Sequence, residues 1–169
     1  MYRCAYCERP EVYLGGQEFF EVDHFRPESK FPGLRTLYLN LYYCCGKCNR
    51  HKGNTWPTPR QENEGFRFAD PCSEDMYQNH LRELEDGQLE ALTACGRYTK
   101  DHIRLNRADV LEWRRRRRKA QTELSLFVSL KDELEKLRVE AKVSQQEDLD
   151  RELEALNSLI AEMPQLFNL

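Results

Sequence analysis

No apolar run in this sequence exceeds a few residues, far short of the ~20 that a membrane-spanning helix needs. No membrane span is therefore expected. The opening stretch MYRCAYCERP holds no apolar core, so no secretory signal is expected either, and the expected compartment is the cytoplasm. Charge of one sign is also scarce. Lys plus Arg is 26 and Asp plus Glu is 29, which leaves −3 and by itself argues against a simple basic nucleic-acid binder. A disulfide framework is disfavoured too, because the 7 cysteines are odd in number and follow no export signal. What remains is a chain of 169 residues, enough for one domain or a small domain with an appendage.

The low net charge conceals a strong segregation. Residues 1–60 carry +3, 61–96 carry −7, 97–119 carry +7 and 120–169 carry −6. The first stretch is rich in Cys, Gly, Pro and aromatics. Its strand signals are Gln17–Val22, after the Gly15-Gly16 turn, and Leu39–Tyr43. Trp56-Pro57-Thr58-Pro59 would break any helix beginning near Cys48. A short helix is expected over Met76–Leu84, ending before Gly87. From Asn106, an expected N-cap with Asp109 in its first turn, to about Lys142 there is no Gly or Pro. That stretch predicts a helix ~50 Å long. Leu130, Leu134, Leu137 and Ala141 follow heptad spacing, as do Leu149, Leu153, Leu156, Ile160 and Met163. Ser144 and Glu147 form a capping-box pattern, and Pro164 is expected to end the second helix. The pair reads as an antiparallel helical hairpin. Its stripes either pack on each other or the N-terminal domain, or form a coiled coil with a partner or a second copy. The expected organisation is 1–60, a cysteine-rich core; 61–105, a mixed extension; and 106–169, a helical arm.

Five of the cysteines lie within the first 48 residues. Cys4-Ala-Tyr-Cys7 and Cys45-Gly-Lys-Cys48 are two CxxC knuckles with 37 residues between them. Two intervening residues let both thiolates of a knuckle reach one ion, and two knuckles complete a closed, structural S4 zinc site. A thioredoxin-like use of CxxC lacks its βαβ context. Cys44 could stand in for Cys45, but the CxxC register favours Cys45. Cys72 and Cys95 read as buried or incidental thiols.

Between the knuckles stands Glu21-Val22-Asp23-His24-Phe25-Arg26-Pro27, then Asn40, and Asn49-Arg50-His51-Lys52 follows the second knuckle. Each piece alone is weak. Together they resemble the HNH endonuclease family in its zinc-ribbon subgroup, with agreement at Cys4, Cys7, Asp23, His24, Asn40, Cys45, Cys48, Asn49 and Lys52. Asn49 replaces the last His, as in HNN variants, and His51 leaves open which side chain completes a metal site. The VDHFRPES wording, Phe68-Ala69-Asp70-Pro71-Cys72, His80-Leu81 and Leu105-Asn106-Arg107 resemble HNH proteins of bacterial retron and Septu-type anti-phage systems, which work beside an SMC/ABC-type ATPase.

The resemblance implies an α+β fold: a small ββα-metal, treble-clef-like core with a structural Cys4 zinc, followed by the helical hairpin. It implies metal-dependent hydrolysis of DNA phosphodiesters. His24 would be the general base, its ordinary pKa leaving the imidazole largely neutral at pH 7. Asn40 would orient the loop or the imidazole, and Asp23 and Asn49 would hold Mg2+ or Mn2+. A turn or bulge would have to bring Asp23 and His24 into one site, because successive strand residues point apart. Arg26, Lys47, Arg50 and Lys52 are candidate contacts to the DNA backbone. The Arg114–Arg118 run adds Arg114, Arg115 and Arg118, with pairing to the acidic 61–96 segment as the alternative. A non-catalytic zinc-ribbon binding module and an RNA-cleaving HNH nuclease are the rival functions.

Overall fold

The computed structural model describes residues 2–167, without the side chains of 143, 144 and 165–167. The chain forms two compact units, Met1–Arg114 and Arg115–Leu169. This differs from the three expected pieces. The stretch expected as an extension supplies Phe68, Ala69, Met76, Leu81, Leu89, Cys95, Tyr98, Ile103 and Leu105 to the same core as the cysteine-rich start. A segment of roughly 60 residues buries too little surface to stand alone without help, so core and extension fold as one body.

In the first unit, β1 (Phe20–His24) pairs antiparallel with β2 (Leu41–Cys45), in the register Phe20–Cys45, Glu21–Cys44 and Asp23–Tyr42. The expected strand at Gln17 begins three residues later, because Gln17–Phe19 forms a 3-10 turn. β2 leads directly into α1 (Gly46–Lys52), which stops at Gly53. There φ is +48°, a left-handed value that L residues with side chains rarely adopt. This is a ββα unit, and the fold is mixed, with small sheets and a C-terminal helical region. Thr58 then caps α2 (Pro59–Asn63) with a full capping box.

The expected helix at Met76–Leu84 is only one turn, α3 (Met76–Asn79). Beyond it Leu81–Glu83 is β3 and pairs with β4 (Leu89–Ala91). Asp86-Gly87 between apolar positions is a hairpin signal, and it outweighs helical spacing here. α4 (Ala94–Ile103), capped by Thr93, lies so close to α3 that a Cβ on Gly96 would sit 2.0 Å from the His80 carbonyl oxygen. Asn106 is not the N-cap of the following helix. Its side chain brackets the Leu89 backbone, accepting from N–H at 2.8 Å and donating to C=O at 3.0 Å.

α5 (Ala108–Glu140) begins in the first unit, where Val110 and Trp113 are buried and Trp113 packs on Tyr13. In the second unit a two-residue link joins it to α6 (Val143–Phe167), and Arg138 ion-pairs with Asp150 across that link. The Ser144 side chain of the expected capping box lies outside the described residues. α6 runs through Pro164 rather than ending there, forgoing only one backbone donor near its last turn. Leu153 and Leu156 are buried, while Leu130 and Leu137 of the expected stripe stay exposed. No helix among the described residues is long and apolar enough to cross a membrane.

Candidate functional site

The two knuckles meet. The sulfurs of Cys4, Cys7, Cys45 and Cys48 all lie within 4.8 Å of one another and are buried. Cys7 and Cys45 are 3.9 Å apart, close to the ~3.8 Å edge of a tetrahedron with Zn–S bonds of ~2.3 Å. The cluster fits zinc. Cys44 is buried but points to the opposite face and is no part of it. Hydrogen bonds from Cys4 and Cys48 bring the Cys45 thiol down to about 6. Burial opposes ionisation of Cys7, but its sulfur neighbours and Arg9 hold it well below the ordinary thiol range.

Two arginines face the sulfurs. Arg9 donates from Nε to Cys7 at 3.5 Å, and Arg107 donates from Nη2 to Cys48 at 3.2 Å. Asp109 anchors both guanidiniums, Arg9 at 2.9 Å and Arg107 at 3.0 Å, and also takes Lys47 at 3.0 Å. A zinc ion with four thiolates carries a net charge of −2. Burying it is costly unless cations lie beside it, and the two guanidiniums supply that charge. Arg107 was legible as part of Leu105-Asn106-Arg107, but nothing in the spacing tied it to the knuckles.

On the other side of the ββ pair, Glu21 and Asp23 share one face with α1. Asp23 is buried. Its oxygens accept from the Tyr6 hydroxyl at 2.5 Å and from Lys52 Nζ at 2.9 Å. Lys52 is fully buried and also donates to the His24 carbonyl at 2.8 Å. Burial pushes the Lys52 ammonium below its usual range, and Asp23 pulls it back. Lys52 is thus unavailable to a DNA backbone, contrary to expectation, because its charge completes Asp23.

Asn49, the other residue expected to hold the divalent ion, has a different partner from Asp23. Asn49 lies within α1, three residues after its start, and its amide donates to Glu21 at 2.7 Å. Glu21 also faces Arg50 at 3.6 Å. No bulge interrupts β1, so Asp23 and His24 point apart. Asp23 is thus engaged by Lys52 and Tyr6, and Asn49 by Glu21. Of these, Glu21 is exposed and Asn49 half-buried. Glu21 escaped notice because a Glu two residues before an Asp-His pair is an ordinary strand-edge residue.

His24 is half-buried, and its Nε2 lies 3.0 Å from the Arg35 carbonyl. That carbonyl can only accept. In the neutral ring Nε2 therefore carries the proton and Nδ1 the lone pair. Asn40 is buried at the foot of the same loop. Its Oδ1 accepts from Arg26 N–H at 2.8 Å, and its Nδ2 donates to the carbonyls of Arg26 at 3.1 Å and Leu34 at 3.3 Å. Asn40 staples the two ends of the loop that presents the Arg35 carbonyl, and it does not touch the imidazole.

Of the other expected cations, Arg26 is exposed, with its guanidinium over Phe31 and Trp56, and Lys47 and Arg50 are exposed. Arg114 is buried, donating to the Gly87 carbonyl at 3.1 Å, and so cannot meet a nucleic acid. Arg115 is exposed and Arg118 half-buried in the second unit, both with interactions within the chain. His51 is half-buried, its pKa lowered by burial and by Arg107. A cleft of about 770 Å3 between Arg3–Ala5, β2 and Pro71–Tyr77, bordered also by Tyr38, includes Cys4 and none of the other expected site residues.

Comparison with known proteins bears on this arrangement. Residues 4–55 match the model of the HNH endonuclease family. The Septu protein PtuB of Bacillus thuringiensis is 28% identical over 114 residues, which is 67% of this chain and 40% of that protein. The chain therefore spans less than half the length of that relative. No solved structure gives a significant match.

Proposed function

From an HNH endonuclease match over residues 4–55, we propose that the chain hydrolyses DNA phosphodiester bonds as the nuclease of a bacterial anti-phage system. The observation that carries this reading is the held imidazole. His24 has Nε2 held on a backbone carbonyl, which in the neutral ring puts the lone pair on Nδ1, half-buried at the end of a strand. Nδ1 takes the proton of a water whose oxygen attacks phosphorus, the bond to the 3′ oxygen breaks, and the departing alkoxide takes a proton from solvent water. The products carry a 5′-phosphate and a 3′-hydroxyl. Asn40 keeps the carbonyl in place, while Arg26 and Arg50 attract the backbone phosphates without reading sequence. A divalent ion, Mg2+ or Mn2+, supplies charge neutralisation on the phosphate and on the leaving oxygen when bound. Glu21, exposed, and Asn49, half-buried, would hold it, and Asp23 would join them if Lys52 released it. The cysteine cluster holds a structural zinc and takes no part in the chemistry. An SMC/ABC-type ATPase is the partner that this reading implies, contacted through the C-terminal helices.

The test is plasmid nicking with Mg2+ or Mn2+, with RNA in parallel. His24→Ala should lower the rate by about 100-fold or more, the usual contribution of a general base. Undiminished cleavage would remove His24 from the role, and cleavage of RNA alone would change the substrate. The closed Asp23 favours a second reading, a zinc-ribbon binding module. No cleavage with any divalent ion, alone or with its partner, would establish that reading.

A further inference from the structure

The loop between β1 and β2 carries three large apolar side chains in a row that stay exposed, with Tyr38 at the border of the cleft beside β2. Leu37 is 46%, Tyr38 83% and Leu39 76% exposed. Scattered apolar residues on a surface are ordinary, but three consecutive ones on an ordered tip are not. This tip is ordered. Lys30 and Phe31 N–H bond the Pro27 carbonyl, Leu34 N–H bonds Phe31, Leu37 N–H bonds Leu34 and Asn40 N–H bonds Leu37, at 2.9–3.2 Å. Phe31 packs edge-on to Trp56, and Asn40 clamps both ends of the loop. The apolar side chains therefore lie exposed on a framework that cannot fold them away.

The surroundings identify the ligand. The loop holds Arg26, Lys30 and Arg35 against Glu28 alone, an excess of positive charge. Arg26 and Lys30 are exposed, and Arg35 is paired at the surface with Glu28 at 3.2 Å. Apolar and aromatic tips ringed by cations suit a nucleic-acid groove, where such residues enter between base steps and kink the duplex. The Arg35 carbonyl that holds His24 lies three residues before Tyr38, so a wedge there would act on the strand facing the base.

We infer that Tyr38 and Leu39, backed by Leu37, form a wedge that inserts between base steps of duplex DNA and unstacks them beside the scissile phosphate. The inference rests on the proposed nuclease reading, and its test separates the two. Duplexes carrying 2-aminopurine at successive positions report unstacking as a rise in fluorescence. The full chain is bound to them without added Mg2+, as wild type, as His24→Ala and as the double variant Tyr38→Ser/Leu39→Ser.

Wild type and His24→Ala should both brighten the probe several-fold at one position. The double variant should bind about tenfold more weakly and leave the probe dark. Its circular dichroism should match wild type, because the replaced side chains are exposed. Brightening that survives the double substitution overturns the wedge, as does cleavage by wild type with a dark probe at every position. A bright probe with no cleavage under any ion retains the wedge and removes the nuclease. Protection of residues 37–39 by a protein partner in place of DNA also overturns the inference.

Discussion

The two units of this chain solve the same problem in opposite ways. Arg115–Leu169 is two helices, many residues long, whose few buried positions include Leu153 and Leu156. Met1–Arg114 has strands of three to five residues and no complete helix above ten, yet it encloses a full core. Local periodicity suffices for the first kind of structure. The second needs long-range fasteners: four thiols, two guanidiniums on one aspartate, and a buried Lys–Asp–Tyr chain. The difference teaches that chemistry resides where local propensity is weakest, because fasteners are also what fixes functional groups in place.

Removing zinc should split the units most sharply. A structural zinc contributes about 10 kcal/mol or more of folding free energy. A strong chelator is expected to abolish the near-ultraviolet circular dichroism of the aromatic core while much of the helical signal at 222 nm persists. Loss of both signals together would mean that the helical unit depends on the first. Metal analysis should return about one zinc per chain.

The buried ion pair comes next. Asp23→Ala leaves Lys52 charged, buried and unpaired, and should cost about 3–5 kcal/mol in urea unfolding. Adding Lys52→Met should recover part of that loss, since the orphaned charge is then gone. A double variant less stable than both single ones would show that the pair is not the fastener it resembles. Smaller again, Arg107→Ala should weaken zinc retention by roughly 10- to 100-fold against a chromophoric chelator, with Arg107→Lys in between. Equal retention by all three would assign Arg107 to packing alone. Smallest on stability is the second unit. Leu130→Ser and Leu137→Ser together should change unfolding by no more than about 1 kcal/mol. If these exposed leucines join two copies, sedimentation should show a concentration-dependent mass that the double substitution abolishes. A mass that never varies leaves them to a different protein.

Much of the site was legible as a pattern and little of it as a geometry. Cys4, Cys7, Cys45 and Cys48 could be paired on paper because CxxC spacing dictates reach. The long helices followed from heptad steps and, for α5, from the lack of Gly and Pro, while Pro164 misplaced the end of α6. The role of Lys52 was not legible. A lysine after a cysteine knuckle reads as exposed, and only the packing of α1 on β1 turns it inward to Asp23. Asn49 faced the same difficulty, since its partner Glu21 is fixed by which face of the strand α1 covers. The Arg114–Arg118 run misled by its length. Five consecutive arginines point around the helix, and the first of them turns into the core.

The sequence alone determined which thiols, imidazoles, carboxylates and cations the chain carries, and the order in which they come. It also determined the helical arm, because spacing along one helix needs no distant partner. Tertiary structure decided which of those groups stay open. Asp23 and Lys52 neutralise each other inside, His24 keeps one nitrogen free on the Arg35 carbonyl, and Arg9 and Arg107 turn to the thiols. The physical reason is that burying a charge is tolerable only beside its opposite. Which opposite lies near is a property of the folded chain and not of neighbours in sequence.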